Sequence, residues 1–435
     1  MNSKTKFSII HHFNCCLGLF YNEGSSDVPL IKKKTVNMKY WKEAATVILA
    51  ARVRHQVPVG HTARAVASRP QQESSINSKS AAFDYKVLML QRTHQSSFFA
   101  GAQVFPGGGI DEADFSPKWM ELFAEVGIQS TKDFGPIVSI QHDRPPMVAK
   151  YRNSPIPGDI AFRICAIRET FEESGVLLVK HLDHCHPADS ASPSVQEIYH
   201  KALDTSAISV TTTKEWRHRV HQNAAAFLEM CRELRSLPDV WSLAEWSNWL
   251  TPSDMSRKRY DTMFYLCCMD SQPSACQDEK ETIQSQWVTP SQSLTQFLEG
   301  EFFLPPPQVY EFQRLCRFPK LSALFTFSQQ RALLGCQRYL PVKVTCSNGV
   351  TTVLPGDYSY PEQPILETIP DESIVNSDLT IEEHADASRP IHRQVFALSK
   401  VPMCQSWCSL PLPCGHCTPL PYEECVDVDM HKSKL

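Results

Sequence analysis

Three glutamates crowd into five positions, Glu169, Glu172 and Glu173, in the stretch RETFEESGV (residues 168–176), with Arg168 before them and Gly175 after. On an α-helix each residue turns the chain by about 100°, so spacings of i, i+3 and i+4 put all three carboxylates on one face. Like charges so placed repel by roughly a few tenths of a kcal/mol per pair. A hard divalent cation converts that repulsion into a binding site, since Mg²⁺ takes oxygen ligands and keeps part of its water. The ordinary explanation of such a run is a solvated acidic face. Its setting points the other way. A helix is predicted over IAFRICAIRETFEESG, with Asp159 as N-cap, Phe162, Ile164, Ile167 and Phe171 as apolar contacts, and Gly175 as the stop. The acids then fall in the last turns, where the helix dipole disfavours them and a surface helix would carry lysines. A local conflict of this kind is expected at functional positions.

A second stretch could approach a ligand with its backbone. The apolar pattern YKVLMLQR predicts a strand, and the chain passes through THQSSFFAGAQ into VFPGGGID. Gly107, Gly108 and Gly109 carry no side chain to hold a ligand off, although Pro-Gly-Gly also suits a tight turn.

Elements must hold these two stretches together. AATVILAA reads as a buried strand or the apolar face of a short helix, too short to cross a bilayer, and no stretch reaches about 18 apolar residues. RYDTMFYLCCM reads as a central strand with Cys267 and Cys268 in the core. VQEIYHKALDTSA and KEWRHRVHQNAAAFLEMCRELRSL read as helices, the second a long amphipathic one whose His218 and His221 lie on a solvated face. QWVTPSQSLTQFLEG continues as a strand end and a helix, and LPVKVTCSNGVTTVLPGD as a hairpin turning at Asn348-Gly349. Residues 115–158 lose periodicity, collect prolines and read as an insertion. Residues 360–388 read as an acidic, flexible stretch.

Composition bounds the class. With 42% hydrophobic residues in 435, the chain can bury a large core or two smaller ones, and 43 basic against 47 acidic residues, net −4, argue against general nucleic-acid binding. The 16 cysteines lack the spacing of a small secreted scaffold and predict a reducing compartment with buried thiols. His11, His12 and Asn14 interrupt the apolar run near the start, which argues against a signal peptide. The last three residues, Ser433, Lys434 and Leu435, spell the address read by the peroxisomal import receptor.

Taken together, FPGGGIDEAD and RETFEESGV resemble the two halves of the Nudix box, G-x5-E-x7-R-E-U-x-E-E-x-G-U, where U is bulky and apolar. The second half matches at Arg168, Glu169, Glu172, Glu173, Gly175 and Val176. Counted from Gly108, the acid of the first half is Asp114 in place of glutamate, and Thr170 takes the first apolar position. Asp114 and Arg168 are separated by 53 residues where the family has seven. An interrupted box with that terminal tripeptide resembles the Nudix motif 19 group, the peroxisomal coenzyme A diphosphatases, over roughly residues 38–361.

The resemblance implies an α+β Nudix fold, a mixed sheet sandwiched between helices with a long insertion splitting the box and additional helices. Residues 1–37 would be an N-terminal extension. A catalytic domain at 38–340 would carry insertions at about 115–158 and, helical, at about 190–250, and 341–435 would form a hairpin and flexible tail. It implies Mg²⁺ or Mn²⁺ held by Glu169 and Glu173, with Glu172 as third ligand or base, Arg168 orienting a glutamate, and Gly107 and Gly108 shaping the phosphate loop. The implied reaction is hydrolysis of coenzyme A and acyl-coenzyme A to 3′,5′-ADP and (acyl-)4′-phosphopantetheine in peroxisomes, with no membrane partner. NADH, a nucleotide sugar or an RNA cap are alternative substrates, and a catalytically silent binding module is the alternative class. Where the family often has a late acid, this chain has Gln286, with Glu279 and Glu281 nearby and read as solvated surface. The Cys-rich segment around Cys404, Cys408, Cys414, Cys417 and Cys425 reads as an irregular tail in preference to a zinc site.

Overall fold

The computed structural model describes residues 41–53, 83–96, 99–138, 144–182, 210–252, 259–275, 282–362, 375–397 and 403–426. The extension 1–37, the helix read at VQEIYHKALDTSA, Glu279, Glu281 and the terminal tripeptide lie outside them.

The run AATVILAA becomes the buried part of β1 (Lys42–Arg52), beside which β2 (Tyr85–Arg92) pairs antiparallel and β3 (Gln103–Val104) follows on β2. The triple glycine is itself a strand, β4 (Gly107–Gly109), antiparallel to β1 with Thr46, Ala45 and Ala44 opposite its three residues. The chain then leaves the sheet through α1 (Lys118–Ala124) and α2 (Pro146–Ala149) into the acid-bearing helix α3 (Gly158–Ser174). A small ribbon of β5 (Val179–His181) and β6 (Ser236–Pro238) encloses α4 (Val210–Gln222) and α5 (Ala226–Glu233). The sheet resumes with β7 (Ala244–Leu250), β8 (Tyr260–Met269) and β9 (Thr282–Val288). Helices α6 (Pro290–Leu298), α7 (Pro306–Leu315) and α8 (Leu321–Ala332) precede β10 (Arg338–Tyr339).

The strand order is β10-β7-β8-β1-β2-β3, with β9 on β2 and β4 on β1; the β1–β8 and β7–β10 pairs are parallel and the rest antiparallel. This is the expected mixed sheet. Successive strand residues point to opposite faces, so Ala45, Val47, Leu49 and Ala51 of β1 join the core under α3, while Ile48 and Ala50 join the core under α6, α7 and α8. Burial on both faces explains why β1 and β8 read as continuous apolar runs.

The box-splitting insertion is folded against α3. Phe115 stacks near Tyr151 at 4.3 Å and meets Phe162 of α3 edge-on, and Phe123 packs on Phe134 and Trp241. These aromatics are far apart in sequence, and no period betrays their shared cluster.

Three readings need correction. The long helix over KEWRHRVHQNAAAFLEMCRELRSL is two helices, broken where Asn223, Ala224 and Ala225 separate α4 from α5, and the region read as a helical insertion also carries β6 and β7. The hairpin β11 (Val342–Cys346) and β12 (Gly349–Val353) pairs Cys346 with Gly349, so Ser347-Asn348 occupies the turn instead of Asn348-Gly349. The reason is visible in Asn348, whose Oδ1 accepts from Ile381 N at 2.7 Å while Nδ2 donates to Glu382. Third, the described part of the tail is not a loose extension. With β13 (Val375–Asn376), β14 (His392–Ala397) and β15 (Met403–Cys408) it forms a second sheet in the order β13-β11-β12-β14-β15. A buried Arg393–Asp357 pair with two bonds of 2.7 and 2.8 Å ties it together, and α9 (Tyr422–Cys425) buries Tyr422 and Cys425 in the second core. In the Cys-rich segment Arg314 Nε donates to Cys417 O at 3.0 Å, and burial raises the Cys417 thiol pKa.

Candidate active site: a carboxylate helix against a glycine strand

Nearly every residue of α3 is buried, because the sheet covers one side and the insertion and α4 cover the other. Its start is Pro157 in extended conformation (φ −66°, ψ 156°), not the expected Asp159. Asp159 sits inside the first turn and is claimed by Arg144, whose Nε donates to Oδ1 at 2.9 Å and whose Nη1 donates to Glu245 on β7 at 2.7 Å. The far end agrees with the sequence reading: Gly175 is left-handed (φ 73°) and its N–H closes on Phe171 O at 2.8 Å. Thr170, at the position where the motif has a bulky apolar residue, is fully buried and satisfies its hydroxyl on Ala166 O at 2.7 Å.

The two halves of the interrupted motif meet in space. Arg168 is their junction. Its Nε and Nη2 each donate to Asp114 at 2.8 Å, Nη1 donates to Glu169 Oε1 at 2.8 Å and to Glu172 Oε1 at 2.7 Å, and Nη2 also reaches Gly109 O at 3.1 Å. Asp114 is fixed in turn by Asp111 N–H at 2.9 Å. The expected role of orienting one glutamate is therefore broader: the guanidinium holds three carboxylates and the glycine strand.

Against this helix lies β4. Gly107 N–H donates to Glu173 Oε2 at 2.9 Å. A methyl on Gly108 would stand 2.4 Å from Glu169 Oε2, and one on Gly107 would stand 2.4 Å from Ala45 O. The two glycines thus have separable roles. Gly108→Ala is expected to push the Glu169 side chain aside, cutting kcat by roughly a hundredfold with little change in melting temperature. Gly107→Ala collides with backbone and should lower the melting temperature by several degrees, about 1–3 kcal/mol of overpacking. Thermal melts and steady-state kinetics on the pair check this; equal melting losses in both would contradict it.

Burial dominates the electrostatics. It pushes the Glu169 carboxyl up to about 8 against the pull of Arg168, and Glu172 is raised for the same reason. Two carboxyls that resist ionisation, Glu172 buried and Glu169 half-buried, form an all-oxygen donor set short of positive charge beside the Arg168 guanidinium. A hard divalent cation fits it. Among the described residues no three acidic, histidine or cysteine side chains are gathered closely enough to hold a metal ion between them.

Glu169 and Gly107, Gly108 and Gly109 border one cavity of about 540 Å³, whose wall also includes Thr46, Arg92, Trp249 and Phe264. Glu172 and Glu173 do not border it. Gln286, on β9 opposite Met89, does not border the cavity.

Sequence reasoning missed two contributors. His221 is not on a solvated face: its Nδ1 lies 3.7 Å from Glu172 Oε2, and Arg217 Nε donates to Glu172 O at 2.7 Å. A basic i, i+4 pair on a helix separately predicted was the only signal, and nothing in it named a partner 45 residues earlier. Arg92, the single cationic side chain among the described residues bordering the cavity, looked like the polar end of a strand.

Comparison with known proteins follows the same lines. The family described as NUDT19 Nudix domain matches residues 41–315. Proteins named acyl-coenzyme A diphosphatase NUDT19 are similar over most of the chain. Those of Xenopus laevis and Gallus gallus are each 38% identical over 82% of this chain and cover 91% and 90% of their own length, and that of Homo sapiens is 35% identical over 82% of this chain and 88% of its own.

Proposed function

Since the chain belongs to the Nudix hydrolases, in the group of the NUDT19 Nudix domain, we propose that it hydrolyses coenzyme A and acyl-coenzyme A at the diphosphate, releasing 3′,5′-ADP and (acyl-)4′-phosphopantetheine with Mg²⁺ or Mn²⁺. The observation that carries the reading is the shared wall of Glu169 and the glycine strand in one cavity. Glu169 and Glu173 would hold the ion, with Glu172 as a further ligand or as the group that takes the proton from water. A bound divalent ion supplies charge neutralisation for the diphosphate oxygens and a lowered pKa for water. The protein does the positioning. Arg168 fixes the carboxylates by charge-assisted bonds, the bare glycines let the diphosphate approach backbone, and Arg92 offers a positive charge at the cavity wall.

A substrate panel tests this. With Mg²⁺ or Mn²⁺, coenzyme A and acyl-coenzyme A should give the highest kcat/KM, with 3′,5′-ADP as product. Turnover confined to NADH, a nucleotide sugar or capped RNA would overturn the substrate assignment.

Peroxisomal delivery is part of the same proposal and rests on Ser433, Lys434 and Leu435. A fluorescent protein fused ahead of the chain should colocalise with a peroxisomal marker and become diffuse when the three residues are removed; unchanged puncta would contradict it.

A further inference from the structure

Among the described residues, Glu169 and Arg92 are the charged side chains that border the cavity, and the sheet sets them on opposite sides of a cleft. β1 and β2 pair where Ala50, Ala51 and Arg52 meet Val87, Lys86 and Tyr85, and beyond that they part. β8 and β9 take their outer edges, so β4 on β1 and β3 on β2 fill the gap between them. Glu169 stands against the β4 glycines on the β1 side. Arg92 stands on the β2 side, where its N–H donates to Ala102 O at 2.9 Å just before β3. With neighbouring strands about 4.8 Å apart and β3 between, Arg92 and the glycine strand are on the order of 10 Å apart across the sheet.

The half-buried Arg92 guanidinium is oriented but not used up. Its Nε donates to Ser96 Oγ at 3.1 Å, and Ser96 N–H donates in turn to Thr93 O at 3.1 Å. Among the described residues neither Nη1 nor Nη2 has a partner, and no carboxylate pairs with them. A guanidinium fixed through Nε keeps its outer N–H groups as a fork, which matches the oxygens of a phosphate. Phe99 borders the same cavity with a left-handed backbone (φ 48°), a conformation bulky residues rarely take and one that clusters at ligand sites. A ring in the wall that carries a phosphate fork suits a nucleotide base with its phosphate better than a bare phosphate.

The diphosphate to be cut belongs at Glu169 and the glycines, where a divalent ion neutralises it. Arg92, across the cleft, is then the counter-charge for a second anionic group. Coenzyme A has one, a 3′-phosphate of about −1.5 to −2 charge, whereas NADH and nucleotide sugars have none. We propose that Arg92, oriented by Ser96, binds the 3′-phosphate of the substrate and is the residue by which the site selects coenzyme A over other diphosphates. This rests on the coenzyme A reading above.

The parent, Arg92→Gln and Arg92→Lys are compared on coenzyme A and on 3′-dephospho-coenzyme A, which differ in that phosphate alone. The parent should favour coenzyme A in kcat/KM by about tenfold to a hundredfold, the worth of hydrogen bonds to a charged group. Arg92→Gln should bring the two substrates within about threefold of each other, and Arg92→Lys should keep part of the preference. A parent with no preference overturns the assignment and leaves the hydrolase activity standing. An unchanged preference in Arg92→Gln also overturns it, as does an equal loss on both substrates, which would place Arg92 on the diphosphate. Calorimetric titration of the parent with 3′,5′-ADP and with 5′-AMP needs neither turnover nor a variant that folds. Binding of 3′,5′-ADP that is tighter by the same factor supports the subsite even if the parent fails to hydrolyse coenzyme A; equal affinities remove it.

Discussion

Glu169→Gln is expected to lower kcat for diphosphate hydrolysis by roughly a thousandfold while leaving the protein more stable than the parent at pH 8. Losing one anionic ligand removes several kcal/mol of transition-state charge stabilisation, and about 1.4 kcal/mol corresponds to tenfold. The stability half follows from burial. The carboxyl is pushed up to about 8 from an ordinary 4.5, so the folded chain holds this proton more tightly than the unfolded one. Stability from this group is greatest below about 4.5 and is lost as pH rises through about 8. Glutamine never ionises and its carbonyl can still accept from Arg168. The melting temperature of the variant should therefore exceed that of the parent at pH 8, and the gap should narrow toward pH 5. Adding Mn²⁺ should raise the parent's melting temperature and leave the variant's nearly unchanged. A variant less stable than the parent at pH 8 without metal would contradict the assignment of Glu169 as a charge-starved ligand.

Arg168→Met should cost both the fold and the reaction. It strips the counter-charge from Asp114, Glu169 and Glu172 together and abandons Gly109 O. Breaking a buried charge pair from one side costs about 3–5 kcal/mol, a fall of roughly 10 °C in melting temperature, with activity lost because two candidate ligands are no longer held. Arg168→Lys should recover little. An ammonium is a point charge on a flexible stem and cannot pair in bidentate fashion with Asp114 while holding two glutamates. If Arg168→Lys melts with the parent and retains its kcat, the junction is not what assembles the site.

The parts of this site that were legible in sequence are those encoded within a few residues. The spacing of Glu169, Glu172 and Glu173 and the Gly175 stop depend on local backbone geometry and stand where the sequence put them, whereas Gly107 and Gly108, expected in a turn or loop, form a strand because β1 pairs with them. The misreadings share the opposite property. Asp159 has the chemistry of a cap, but Arg144, reached across the insertion, claims its carboxylate. Asn348-Gly349 has the chemistry of a tight turn, but the Asn348 side chain is wanted by a segment 33 residues later. The second sheet was hidden because its strands are short and its stabilising pair, Asp357 with Arg393, spans 36 residues. In each case a tertiary contact outbid a local preference, and no single-sequence pattern records which distant partner will arrive.

The most direct test of the central claim is the release of 3′,5′-ADP from coenzyme A as a function of Mn²⁺ concentration, measured for the parent and for Glu169→Gln under the same conditions. The account predicts a saturable dependence on the ion in the parent, abolished by chelation, and a rate near background for the variant at every concentration. Release that ignores the ion, or a variant that matches the parent, would contradict it.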